Sequence, residues 1–122
     1  IKPEYNIRSN LSIKQDLVMY PSGENRLAYF YARAGRLESL REKLLNLFPG
    51  ELTILNSAEA VQKKLFGLED PYYRTWDRVG DLLTISNADA YFWWAMKENR
   101  LMGRHGGMSP DEMLIPLIKF EI

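Results

Sequence analysis

Leu37, Leu40, Leu44 and Leu47 recur at spacings of three and four residues, between Gly35 on one side and Pro49-Gly50 on the other. That period puts them on one stripe of a helix, which Leu45 and Phe48 widen. Arg36, Glu38, Arg41, Glu42 and Lys43 take the opposite side, where Glu38 can reach Arg41. The spacing predicts a helix over 36–48, stopped by Pro49-Gly50. A helix apolar on one side must bury that side against another layer, so the search for the rest of the fold is a search for strands.

Four segments read as strands around this helix. Residues 16–20 and 26–33 are apolar or aromatic runs separated by the turn-rich Pro21-Ser22-Gly23-Glu24-Asn25, which predicts a hairpin. In the second run Tyr29 and Tyr31 share one face and Phe30 takes the other, as in a strand covered on both sides. Residues 51–55 follow the helix, and 82–86 carry apolar residues on both faces, which predicts a central strand. Residues 90–94 read as a fifth strand and 117–122 as a last one. Between these, Asn56 looks like an N-cap with Glu59 three residues later, opening a short helix that runs to about Phe66 and stops at Gly67. Residues 1–15 read as an irregular segment over the surface, in which Tyr5, Ile7, Leu11 and Ile13 have the bulk to pack against a neighbour, and 68–77 read as a loop. The expected fold class is α/β or α+β: a mixed β-sheet with an N-terminal hairpin and two to three helices, in a single domain or one lobe of a larger one.

The totals exclude several function classes. Acidic and basic side chains balance at 16 each, which gives no electrostatic reason to expect nucleic acid. No like-charge run points to a membrane surface, and no apolar stretch approaches a membrane span. The absence of cysteine excludes disulfides, thiolate metal sites and cysteine nucleophiles. It also fits a reducing compartment, so the expected location is cytoplasmic. The chain opens on Ile1 rather than Met and is read as a piece of a longer product; a lobe cut from a larger sheet would expose an edge through which a homodimer can form.

Chemistry-bearing residues are few. His105 is the single histidine, in Gly103-Arg104-His105-Gly106-Gly107, where the glycines let the backbone come close to a ligand or another loop. A neutral imidazole is a common ligand for zinc-like ions; a loop histidine among turn glycines is the plainer alternative. Asp77 and Asp81 flank Arg78 and would share a face at strand spacing, although such residues more often cap turns or pair with arginine. Ser109-Pro110-Asp111-Glu112 is a capping box with Pro at the first helical position, which accounts for both acidic residues, and Pro116 keeps this helix short. Ser22 lacks the setting of a nucleophile elbow, and no phosphate-binding glycine loop occurs. The aromatics Tyr72, Tyr73, Trp76, Tyr91, Phe92, Trp93 and Trp94 form the contact surface of a non-catalytic binding module, if that is what the chain is.

From Ser22 onward the order of motifs resembles the C-terminal part of the type I phosphodiesterase/nucleotide pyrophosphatase family of the alkaline phosphatase superfamily. The pieces are 22–29 (Ser-Gly-Glu-Asn-Arg-Leu-Ala-Tyr), Leu65-Phe66-Gly67, 78–83 (Arg-Val-Gly-Asp-Leu-Leu), 103–107 and 109–117, the last two in tandem being the specific ones. The resemblance implies an α/β enzyme that cleaves phosphate esters with a Thr or Ser nucleophile and two metal ions, usually zinc. It implies that His105, in a Gly-x-His-Gly setting, is one metal ligand. The family's nucleophile and its other ligands, including those of an Asp-His-Gly motif, lie upstream of the matching region and do not occur in this chain. The implied partners are therefore the rest of a parent enzyme and its phosphate-ester or nucleotide substrate. A segment of this kind is inactive alone and holds no metal stably, since a catalytic zinc takes about three protein ligands.

Overall fold

In a computed structural model, residues 5–98 and 100–121 are described. The start of the segment 1–15, Asn99 in the connection before the histidine loop, and Ile122 at the end of the expected last strand lie outside them. The described chain runs α1 (Leu11–Lys14), β1 (Ser22–Gly23), β2 (Leu27–Phe30), α2 (Leu37–Leu47), β3 (Leu52–Asn56), α3 (Ser57–Gln62), α4 (Thr75–Val79), β4 (Leu82–Ser86) and α5 (Pro110–Met113). The strands form one sheet in the order β1-β2-β4-β3, with every neighbouring pair antiparallel. An antiparallel sheet with its helices outside it is an α+β fold, the second of the two classes expected.

The leucine stripe does what its spacing requires. Leu40 and Leu44 are fully buried, Leu37 and Leu47 pack partly against the core, and Phe48 closes the stripe; Leu45 stays exposed. The sheet receives this helix on the face formed by Ala28 and Phe30 of β2 and Leu82 of β4, all fully buried. Phe30 and Phe48 each meet Phe92 edge-on, at ring-centre distances of 5.2 and 5.3 Å, and Tyr5 stacks on Phe48 at 4.7 Å. The aromatic group joins four separate stretches of chain into one core. β4 is central, as its two-sided apolar pattern predicts: Leu82, Leu83 and Thr84 are buried, and the Thr84 hydroxyl donates to the Ala28 carbonyl.

Several expectations change. Residues 16–20 form no strand; only Leu17 bridges, to Ala32, and the hairpin ladder proper is β1 with β2. Asp16 ties the segment to α2 instead. Its side chain is buried and takes hydrogen bonds from Lys43 Nζ (2.6 Å) and Ser39 Oγ (2.7 Å), with Arg36 at 3.9 Å. Burial pushes its carboxyl up, but those bonds and the two positive charges outweigh it and hold the group below its ordinary range. The pairing at Leu17 stays this short: the Asp16 carbonyl accepts from Arg33 N–H and Val18 N–H donates to the Tyr31 carbonyl, on either side of the Leu17–Ala32 bridge, and no further backbone bond continues the ladder. The segment 5–15 is core rather than surface: Tyr5, Ile7 and Ile13 are buried, Leu11 alone of the four stays out, and α1 forms with Asn10 capping the Ile13 N–H. Residues 90–94 do not join the sheet, because other partners take their backbone. Ile7 N–H donates to the Trp93 carbonyl, Trp93 N–H to Tyr5 and Phe92 N–H to Asn25. The expected loop 68–77 gives way at its end to α4. The helix after Asn56 ends at Gln62, with Lys64 left-handed, and Asn56 gives its side-chain oxygen to Arg41 instead of the helix end. Residues 114–121 form no strand and lie exposed.

Phe92 is 1% exposed and touches both other core phenylalanine rings. Phe92→Ala is expected to cost about 3–5 kcal/mol of folding stability, read as a lowered midpoint in urea titration; a loss within the range of surface substitutions would show that the core does not depend on this ring.

Candidate functional site

Arg26 sits in the turn between β1 and β2, where Glu24 and Leu27 exchange backbone hydrogen bonds. Its own carbonyl accepts from Ser86 N–H, which fixes it to the end of β4. From there the side chain runs into the protein and is 7% exposed. Nη1 donates to the carbonyls of Ala88 (2.7 Å) and Ala90 (2.8 Å). Nε and Nη2 donate side by side to Glu112, at 2.7 and 2.9 Å. This fork-on-carboxylate geometry is the one only arginine offers.

Glu112 is the third residue of α5, and the predicted capping box forms there, with Pro110 at the first helical position. Its carboxylate accepts from the Ser109 hydroxyl (2.6 Å) and from the backbone N–H of Ser109 (3.4 Å) and Gly107 (2.9 Å). The Arg26 bonds first, then that of Ser109, hold the Glu112 pKa down at about 2 against the opposing effect of burial. Asp111 points outward and is exposed.

Two of the three glycines, Gly106 and Gly107, are dictated by these contacts, whereas a Cβ at Gly103 would meet nothing within 4 Å. At Gly106, with φ +84°, a Cβ would lie 2.7 Å from Glu24 Cβ; at Gly107 it would lie 2.8 Å from the Glu112 carboxyl carbon. No side chain fits at either place. On the other side of the loop, the Arg104 guanidinium lies over Tyr91 at 4.6 Å and near Trp93 at 5.8 Å. The loop is thus tied down before and after His105. The imidazole itself is exposed and makes no hydrogen bond or ion pair among the described residues. A cleft of about 540 Å³ lies on the side of Gly103 and Arg104, and an apolar depression of about 370 Å³ on the side of Gly106 and Gly107. Glu112 lines both, and His105 lines neither.

The other candidates lie apart from this loop. Asp77 is exposed on α4, whereas Asp81 precedes β4 and accepts from Ala32 N–H at 2.7 Å, so the two share no strand face. Ser22 Oγ lies 2.8 Å from the Tyr31 hydroxyl, whose proton goes to the Arg78 carbonyl; the Ser22 proton is therefore committed to Tyr31. Among the described residues no group of three or more His, Asp or Glu is arranged to hold a metal ion. The aromatic set divides: Phe92 is core, Trp94 packs against the core, Tyr91 and Trp93 support Arg104, and Tyr72, Tyr73 and Trp76 are exposed. Sequence reasoning assigned Glu112 to its helix and did not anticipate Arg26 as its partner, since nothing local marks a pair 86 residues apart.

No protein-family model matches the chain, and comparison with curated proteins and with solved structures finds no match either.

Glu112 contributes stability fully above its unfolded pKa of about 4.5, and that contribution is lost as pH falls towards about 2, where the folded carboxyl takes up its proton. Glu112→Gln is expected to cost about 3–5 kcal/mol at neutral pH, because it strands a buried guanidinium, and to flatten this part of the acid limb. Urea titrations at a series of pH values check both; a variant as stable as the wild type, with the same acid slope, would remove the ion pair from its central place.

Proposed function

We propose that the chain is the C-terminal segment of a metal-dependent phosphodiesterase or nucleotide pyrophosphatase, contributing His105 as one metal ligand and inactive alone. The observation that carries this reading is where the motif pieces fall. Residues 22–29, 103–107 and 109–117 are the stretches on which the resemblance rests, and they meet on the Arg26–Glu112 pair. That pair holds the backbone on one side of His105, Arg104 holds it on the other, and the imidazole has no partner among the described residues. A ligand histidine needs one ring nitrogen that the protein does not already use; the outer partner that normally holds the second nitrogen belongs, on this reading, to the parent enzyme.

One imidazole falls short of the roughly three protein ligands of a catalytic zinc, and the described residues bring no carboxylate cluster to its side. The remaining ligands and the Thr or Ser nucleophile belong, on this reading, to the upstream part of a parent enzyme. Bound zinc, or a similar divalent ion, would stabilise the attacking and leaving oxygens of a phosphate ester or nucleotide. The compartment proposed is the cytoplasm; among the described residues no helix is long and apolar enough to cross a membrane.

A second reading is a stand-alone, non-catalytic module on the same scaffold, favoured by the exposed Tyr72, Tyr73 and Trp76. An upstream coding region with an Asp-His-Gly motif dismisses it.

In the parent, His105→Ala is expected to lower zinc content and to cut phosphodiester hydrolysis by more than the roughly 10–100-fold that loss of an outer partner costs. Metal analysis of purified wild type and variant, beside turnover of a chromogenic phosphodiester, is the measurement; an unchanged zinc content sinks the ligand assignment.

A further inference from the structure

Charged groups that face one cavity without pairing mark the cleft of about 540 Å³ beside the histidine loop. Arg26 and Glu112 line it and satisfy each other. Arg104, Asp89 and Asp111 line it too, and none of these three makes an ion pair with a described residue. Arg104 is held away from the carboxylates by other contacts. Its guanidinium lies over Tyr91 and near Trp93, and Nη1 turns back to the Gly103 carbonyl. Nε is buried without a partner among the described residues, and Nη2 donates to none of them. What the arginine has left for the cleft is its outer edge, Nη1 and Nη2.

These groups restrict what the cleft can take. With Arg26 and Glu112 cancelling, one cation faces two carboxylates, which disfavours phosphate or any other multiply charged anion. The ligand must bring acceptors to Arg104 and N–H donors to Asp89 and Asp111, because an ionised carboxylate only accepts. Tyr91 and Met102 add surface suited to a flat ring. Guanine combines these features. Its O6 and N7 take the two-pronged contact of an arginine. On the adjoining edge its N1–H and N2 amino group donate side by side to a carboxylate. Adenine carries an amino group in place of O6, an acceptor at N1 and no amino group at C2. The volume lies within the range of small-molecule sites.

We propose that this cleft binds a guanine base, with Arg104 on its O6 and N7 and the Asp89 and Asp111 carboxylates facing its N1–H and N2 amino group. As an assignment of the substrate's base, this deepens the nucleotide pyrophosphatase reading and rests on it: Arg104 is the residue before His105, which sets the base next to the proposed metal ligand. Binding of guanosine itself needs neither metal nor turnover.

The test is calorimetric titration of the full 122-residue chain, without metal, with guanosine, inosine and adenosine. Guanosine should bind saturably, on the order of tenfold or more tighter than adenosine. Inosine, which lacks the N2 amino group, should fall between them. Arg104→Lys keeps a cation over Tyr91 but gives up the fork, and should weaken guanosine binding on the order of tenfold. Asp89→Ala/Asp111→Ala should bring guanosine down to about the affinity of adenosine. Both aspartates are exposed, so circular dichroism of that variant should match the wild type. Equal affinity for guanosine and adenosine overturns the proposal, and so does the absence of saturable binding or a pair of variants that bind as the wild type does. Displacement of guanosine by inorganic phosphate or by a free amino acid overturns it as well, since the cleft would then serve another chemistry. Guanosine binding together with an unchanged zinc content in the His105→Ala parent keeps the base site and removes only its place in a phosphodiesterase.

Discussion

The Arg26–Glu112 pair is the point through which the histidine loop, the hairpin and the last helix are held to one another. Arg26 alone would be a buried cation facing two carbonyls, and Glu112 alone a half-buried carboxylate in a four-residue helix. A helix that short has no stability of its own. Each charge makes the burial of the other tolerable, and the leftover hydrogen-bonding capacity of the carboxylate goes to Ser109 and Gly107. Gly107 is the residue through which this constraint reaches His105. Apolar groups of similar size can fill such a space equally well, but they would leave the Gly107 N–H without its acceptor. The pair is better understood as fixing the loop's position than as adding to overall stability.

A second buried charge does comparable work at the other end of the molecule. Asp16 collects Lys43, Ser39 and Arg36 from α2 and its approach, and so ties the N-terminal stretch across the helix. The two sites differ in their donors. Lys43 is a point charge at the end of a flexible stem, and the serine and the more distant arginine complete the shell; Arg26 offers a rigid fork that fits its carboxylate in one orientation. The second arrangement suits a place where geometry matters, the first a place where attachment suffices.

The parts of the fold that were legible in the sequence are those set by local period: the leucine stripe of α2, the two-sided strand β4 and the proline-led cap of α5. What escaped was set by distant partners. Residues 90–94 have every local mark of a strand, yet Tyr5, Ile7 and Asn25 take their backbone groups first. The irregular look of 5–15 conceals core residues because Tyr5, Ile7 and Ile13 come from a turn and a single helical turn, which leave no period to read. At the candidate site, the glycines around His105 were recognisable as a close approach, but not what they approach. That is Glu24 on one side and Glu112 on the other, one of them some 80 residues earlier in the chain.

The distance in sequence between Arg26 and Glu112 also dictates an order of assembly. Closing an 86-residue loop directly costs about 4 kcal/mol in the logarithmic part of its entropy alone, about what such a pair returns. Once β2 and β4 have zipped and Ser86 is bonded to Arg26, the remaining loop to Glu112 is only about 26 residues, and its cost falls to about 3 kcal/mol. Phe92, bonded to Asn25, shortens it again. The ion pair therefore closes on a sheet already formed, and the histidine loop takes its shape last. Until that final step the backbone on either side of His105 is unplaced, so the position of this side chain is a late product of the sheet rather than of its own glycine-rich sequence.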